Sequence, residues 1–226
     1  VKIHVFFFIL LFYFKALANT QVFSASEINK PLLDSYAFLF ASNYTKDPLP
    51  LGTDFNIELQ GGYLKNTSRN ELSSKNIYFN TFSAHKGIYY NLSLDLSFLG
   101  PINKSFQSGY AAAVSHTHVF SKFTLKSRIY FSSYNIDEVL NYRNFGANSF
   151  FYYKVYSIYF GLGLVGERVD TDIQNTEEIS SKEFKFFSYR STGSVLYIID
   201  QNRVSLDFTY KNTEAFNLSL SYSFRF

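Results

Sequence analysis

The chain of 226 residues contains no cysteine and no tryptophan, and only 17% of it is charged. Without cysteine there is no disulfide framework and no thiolate metal site. The absence also suits passage through an oxidising compartment, where a stray thiol is a liability. Beyond residue 18 no stretch approaches the about 20 consecutive apolar residues of a membrane-spanning helix, which argues against an α-helical membrane protein. Lys and Arg number 21 against 18 Asp and Glu, and no basic stripe gathers anywhere, so a nucleic-acid partner has no electrostatic footprint. No phosphate-binding glycine loop, no G-x-S-x-G and no H-E-x-x-H occurs.

What the chain has in abundance is aromatic residues, 27 Phe and 19 Tyr. The hydrophobic fraction is 46%, yet mean hydropathy is only -0.07, because Ser, Asn and Thr dilute the apolar residues evenly. A soluble domain gathers its apolar residues into core-facing runs. A barrel wall in lipid needs them at every second position.

The N-terminus reads as a secretory signal. Lys2 and His4 precede the apolar run from Val5 to Phe14, and Ala16-Leu17-Ala18 supplies the small-x-small cleavage pattern before polar Asn19 and Thr20. The run is about ten residues, half of what a spanning helix needs. Residues 1–18 are therefore expected to be removed, the alternative being an uncleaved anchor. Loss of Lys2 and Lys15 would leave 19 basic against 18 acidic residues, close to neutral.

The last eleven residues carry the clearest pattern. Phe216, Leu218, Leu220, Tyr222, Phe224 and Phe226 alternate with Asn217, Ser219, Ser221, Ser223 and Arg225. Successive side chains of a strand point to opposite faces, so one face is apolar and the other polar. An amphipathic final strand ending on an aromatic resembles the small β-barrels of bacterial outer membranes. The resemblance implies that Phe226 acts as an assembly signal read by the barrel-assembly machinery, and that outer-membrane lipid and lipopolysaccharide surround the protein. No cofactor is implied.

The alternation recurs upstream: from Phe55 to Tyr63, Tyr90 to Phe98, Phe123 to Ser132, Tyr156 to Leu164 and Val204 to Tyr210. Each run is near the 9–11 residues of a tilted bilayer-crossing strand. Segments 75–84, 105–118 and 143–153 alternate less cleanly, and 183–198 is aromatic on both faces around Phe186 and Phe187. Counting all of them predicts an all-β, antiparallel up-and-down transmembrane β-barrel of ten strands over 53–226, with eight or twelve as alternatives. Connections near 65–74, 99–104, 133–142 and 168–182 read as long extracellular loops. Those near 84–87, 119–122, 153–155 and 199–203 read as short periplasmic turns. Residues 19–52 fit less well: Tyr36, Phe38 and Phe40 suggest a further strand, but Pro48 and Pro50 break it. This segment is expected to be a periplasmic lead, a piece tucked into the lumen, or an additional strand. The soluble alternative is a sandwich or lipocalin-like barrel with the faces reversed.

If the apolar positions face lipid, Glu58, Asp95, Lys126, Arg128 and Asp207 face the lumen as pore-lining candidates. Charges of both signs in a narrow barrel either pair and fill it or line a small pore. Ten strands lie just above the size that side chains fill completely, which favours a largely filled lumen. His116 and His118 share one strand face, but a catalytic zinc needs a third ligand and nothing ties His85 to them. Ser115 and His116 are adjacent and point to opposite faces, so they cannot form a nucleophile–base pair. The run Gly109 to Ala113 leaves room on one face. The segment 167–183, with Glu167, Asp170, Asp172, Glu177, Glu178 and Glu183, reads as an acidic, solvated loop without calcium-loop spacing. No catalytic or metal-binding set emerges. The expectation is a non-enzymatic barrel, structural or passively conducting. The alternatives are a loop-based binding protein with an extracellular ligand and, behind it, a barrel enzyme acting on lipid or peptide.

Overall fold

The computed structural model describes residues 47–66, 76–100, 106–136, 140–173, 182–211 and 215–226. The expected signal segment 1–18, the strand-like stretch around Tyr36, and the tips of all five far connections lie outside these residues. Ten strands follow in order: β1 Phe55–Asn66, β2 Asn76–Tyr89, β3 Leu92–Leu99, β4 Phe106–Phe120, β5 Phe123–Ile136, β6 Leu140–Val155, β7 Ile158–Ile173, β8 Lys182–Ile199, β9 Asn202–Lys211 and β10 Ala215–Arg225. Each pairs antiparallel with its neighbours in the chain, and β1 pairs with β10 to close the barrel.

The seam joins the two ends of the sheet. Asn56 stands opposite Arg225 and Asn66 opposite Ala215. Beyond the last pair, the Phe226 amide donates to Phe55 O at 2.8 Å and the Phe55 amide to Phe226 O at 3.4 Å. The same end of the barrel carries the tight turns. Ser121, Tyr156 and Asp200 each open a two-residue turn with a left-handed φ of 55°, 55° and 53°.

The pleat decides the orientation of the faces. Leu162 and Leu164 on β7 are 73% and 70% exposed, and Leu94, Leu96, Ile129 and Leu206 also stand outward. Their alternating neighbours Ser97, Ser115, Thr171, Ser205 and Ser219 are buried inside. A water-soluble barrel has these faces reversed, so the soluble alternative is excluded. The outward apolar band is the surface a bilayer requires, and each strand within it is hydrogen-bonded to a neighbour on both sides.

Several boundaries differ from the sequence reading. The turn expected at 84–87 lies at Tyr90–Asn91, because β2 continues through Gly87, whose amide donates to Asp54 O at 2.9 Å. The loop expected over 133–142 is mostly strand, since β5 runs to Ile136 and β6 resumes at Leu140. Likewise β7 runs to Ile173 and β8 begins at Lys182, inside the expected loop 168–182. The cause is physical: beyond the apolar band the strands stay hydrogen-bonded, but nothing there requires alternating hydrophobicity. Phe186 and Phe187 resolve into one inward and one outward ring.

Candidate functional site

The lumen is where the chemistry-bearing side chains meet. All five sequence-derived candidates point inward and are buried: Glu58 on β1, Asp95 on β3, Lys126 and Arg128 on β5, and Asp207 on β9. The first four meet within one web across the β1–β5 wall. Asp95 is its centre. Its Oδ1 lies 2.9 Å from His85 Nδ1, its Oδ2 accepts from Ser115 Oγ at 2.5 Å, and Arg128 Nε stands 3.4 Å from Oδ2. His85 stands directly opposite Asp95 across β2–β3, and Ser115 opposite Arg128 across β4–β5. His85 Nε2 reaches toward Glu58 Oε2 at 4.0 Å. Asp207 takes a separate place, accepting from Ser205 Oγ at 3.0 Å, and Ser205 also meets Ser221 at 2.6 Å.

The N-terminal approach to the barrel enters this web. Asp47 is buried, its Oδ2 2.6 Å from Arg203 Nε, while its main-chain oxygen accepts from Lys126 Nζ at 3.1 Å. Leu49 packs against the inward cluster of Phe150, Tyr152, Tyr159 and Leu196. Leu51 is buried as well. Arg225 straps the segment down, donating through Nε to Asp54 Oδ2 at 2.6 Å and through Nη2 to Pro50 O and Leu51 O at 3.0 and 3.1 Å. Residues 47–51 thus lie in the turn end of the barrel, inside the strand wall.

Farther up, a second ionic cluster spans β5, β7 and β8. Tyr130 Oη donates to Glu167 Oε2 at 2.6 Å, and Glu167 is ion-paired with Arg190. Glu167 is therefore no loop residue: the expected acidic loop begins as strand, with Glu167 inward and Asp170 and Asp172 on the outer face beside Arg168 and Arg143. Glu177 and Glu178 lie outside the described residues. Elsewhere in the described interior, rings lie on glycines of the adjacent strand. Phe150 covers Gly163, Tyr152 covers Gly161, Tyr130 covers Gly146 and Phe79 covers Gly62, each pair directly opposite across two strands. A Cβ on Gly163 would sit 2.4 Å from the Phe150 ring, so only glycine admits this contact. The small inward face of β4, Ala111 and Ala113, adjoins the same rings, since Ala113 stands opposite Tyr130.

Ser115 and His85 both bond the Asp95 carboxylate, one on each oxygen. A carboxylate only accepts, which places the shared proton on His85 Nδ1. His116 and His118 are exposed on the outer face of β4 near its turn, their rings 6.4 Å apart, with Leu92, Ser127 and Leu125 as cross-strand neighbours. Among the described residues no group of three His, Asp or Glu gathers as a metal site.

An apolar outer wall, a polar lumen and a closed antiparallel meander are now in place. The fold is that of a small outer-membrane β-barrel. No family model matches the sequence, and no curated protein does. Among solved structures, an outer membrane channel from Pseudomonas putida F1 is similar at 10% identity, covering 81% of this chain and 99% of that one, with a TM-score of 0.48. Neisserial surface protein A is similar at 12% identity, covering 76% and 97%, with a TM-score of 0.40. An outer membrane protein of Acinetobacter baumannii is similar at 11%, covering 78% and 100%, with a TM-score of 0.39. At these identities the likeness is one of barrel architecture, and the site rests on its own geometry.

Proposed function

We propose that the chain is a non-enzymatic β-barrel of the bacterial outer membrane, a structural element or narrow passive channel whose lumen is held largely filled. The observation that carries this reading is the mutual pairing of the lumen charges. Asp47 meets Arg203, Asp95 meets Arg128 and His85, and Glu167 meets Arg190, while Lys126 bonds the Asp47 main-chain oxygen. Charges that line a water column present themselves to passing ions, whereas these neutralise one another at hydrogen-bond distance. With the turns and Phe226 on the periplasmic side, residues 47–51 stopper the periplasmic mouth and the far connections face outward. Phe226, paired at the seam, is proposed as the assembly signal that the barrel-assembly machinery reads.

The test is conductance of the refolded full chain in a planar bilayer, after a heat-dependent gel shift confirms the folded barrel. The expected result is a silent or barely conducting membrane. Asp47→Ala, which frees Arg203 and loosens the stopper, is expected to add discrete current steps. Large ion-selective steps from the unaltered chain would overturn the filled-lumen reading. In cells, Phe226→Ala is expected to lower the folded barrel recovered from outer membranes several-fold, and an unchanged yield would remove Phe226 from assembly.

A further inference from the structure

The N-terminal end of the described chain points into the barrel. Followed backwards from β1, the chain leaves the rim at Gly52, whose amide donates to Tyr90 O in the β2–β3 turn at 3.3 Å. Leu51 and Pro50 then lie under Arg225, and Leu49 packs on the inward ring cluster of β6 to β8. Asp47 stands in the charge web with only 2% of its surface exposed. Its main-chain oxygen meets Lys126 and its carboxylate meets Arg203. The path thus runs from the rim to the interior, and the upstream chain starts from inside the strand wall.

Farther from the turns, the lumen holds neutral polar groups that lack a hydrogen-bond partner among the described residues. Ser132 Oγ on β5, both amide atoms of Asn144 on β6 and Thr171 Oγ1 on β7 are of this kind, and all three side chains are fully buried. Ser132 stands directly opposite Asn144, and Thr171 opposite Tyr142, whose ring stacks on Tyr134 at 4.6 Å. Buried polar groups in folded proteins are almost always paired, so this patch calls for donors and acceptors from elsewhere. An extended backbone supplies one of each per residue. From Lys126 to Ser132 the distance along β5 is roughly 20 Å. An extended chain rising from Asp47 covers it in about six residues. That brings Ala41 beside Ser132, and Phe40 and Phe38 to the level of Tyr134 and Tyr142. No proline interrupts residues 36–46.

We propose that the chain plugs its own barrel: the segment before Asp47, residues 36–46, runs extended up the lumen and closes it. Its backbone serves Ser132, Asn144 and Thr171, and Phe38 and Phe40 lie against the Tyr134–Tyr142 stack. This rests on the filled-lumen reading above and names what completes the filling. The two other courses open to the segment fit less well. A further strand has no edge to join, because β1 is hydrogen-bonded to both β10 and β2 and the wall is closed. A periplasmic lead would have to turn back at Asp47 and leave through the mouth that Leu49, Pro50 and Leu51 already occupy, strapped by Arg225.

The chain has no cysteine, so a pair of introduced thiols reports position without interference. In the refolded full chain, Ala41→Cys with Ser132→Cys is expected to be linked by a short bismaleimide, read as a mobility change on a gel after heating. Ala41→Cys with Ser149→Cys, an outward position on β6, is expected to stay unlinked. In a planar bilayer, removal of residues 19–46 is expected to turn a silent membrane into one with discrete current steps, a heat-dependent gel shift confirming the folded barrel. Linkage of Ala41 to neither position, or equally to both, would overturn the proposal. So would a folded barrel that stays silent without residues 19–46. Should the shortened chain fail the gel shift, the linkage decides. Large steps already in the full chain would defeat the filled-lumen reading instead, and linkage of Ala41 to Ser132 would then still place the segment in the lumen.

Discussion

Two regions of the lumen carry different chemistry. Along β1 to β5 the interior holds charge: Glu58, His85, Asp95, Lys126 and Arg128, met by Asp47 from the N-terminal segment. Between β6 and β8, on the turn side of the Glu167–Arg190 pair, it holds rings, with Phe150 and Tyr152 laid on Gly163 and Gly161 and packed with Tyr159 and Leu196. The charged side is specific because each group needs a partner at a set distance. The ring side is specific because each glycine admits one ring and nothing larger. A buried ion web adds little net stability over apolar filling, but breaking it strands a charge. A ring on a glycine leaves no room for a side chain there, and adding one overpacks the site.

The largest effect should come from the charged side. Asp95→Ala leaves Arg128, His85 and Ser115 without their common acceptor, and a broken buried pair costs about 3–5 kcal/mol. Urea titration of the refolded barrel in lipid vesicles, followed by gel shift, would read this as an earlier unfolding midpoint. If Asp95→Ala unfolds no earlier than the unaltered barrel, the web is not what fills that side.

Gly163→Val probes the ring side. Its Cβ would fall 2.4 Å from the Phe150 ring, and overpacking of this kind typically costs about 1–3 kcal/mol. The same titration should show a smaller shift than for Asp95→Ala. A neutral result would mean that Phe150 swings away freely, and the two sides would then differ in rigidity as well as chemistry.

Gly193→Ala is the outward counterpart. Nothing lies within 4 Å of the added methyl, and glycine within a strand costs roughly 0.5–1 kcal/mol relative to alanine. The barrel should be unchanged or slightly more stable. Arg143→Ala removes an exposed pair with Asp172 and should shift the midpoint least, since such pairs contribute about 0–1 kcal/mol.

Much of this was legible in the chain. The clean alternation from Phe216 to Phe226 and its five upstream repeats mark six strands, and the less regular segments 75–84, 105–118, 143–153 and 183–198 mark the other four, because lipid enforces the period of two wherever a strand touches it. The enforcement stops at the edge of the apolar band. For that reason Glu167, an inward strand residue, read as part of an acidic loop, and Leu140 read as loop although it opens β6. His85 was missed because Ala84, His85 and Lys86 look like a turn approach. Its tie to Asp95 appears only once the β2–β3 turn is placed at Tyr90–Asn91. The ring–glycine pairs did carry a signal. Phe150 and Gly163, like Tyr152 and Gly161, are equidistant from the turn at Tyr156–Ser157. An aromatic and a glycine symmetric about a turn, on an inward face, mark such a pair. Arg203 and Asp47 had no local signal, since their meeting depends on a segment that joins no strand.

The seam has a consequence for the order of folding. Each of the other nine strand pairings joins neighbours in the chain and can zip from a nearby turn, but β1 and β10 are separated by nearly the whole sheet. Bringing such distant segments together carries the largest loop-closure entropy of any contact in the barrel, and it yields little until the intervening hairpins exist. Closure is thus expected to be the last and slowest event. Until then both edge strands offer unpaired backbone to any passing chain, and the nascent barrel needs either a chaperoning surface or a bilayer that shields those edges.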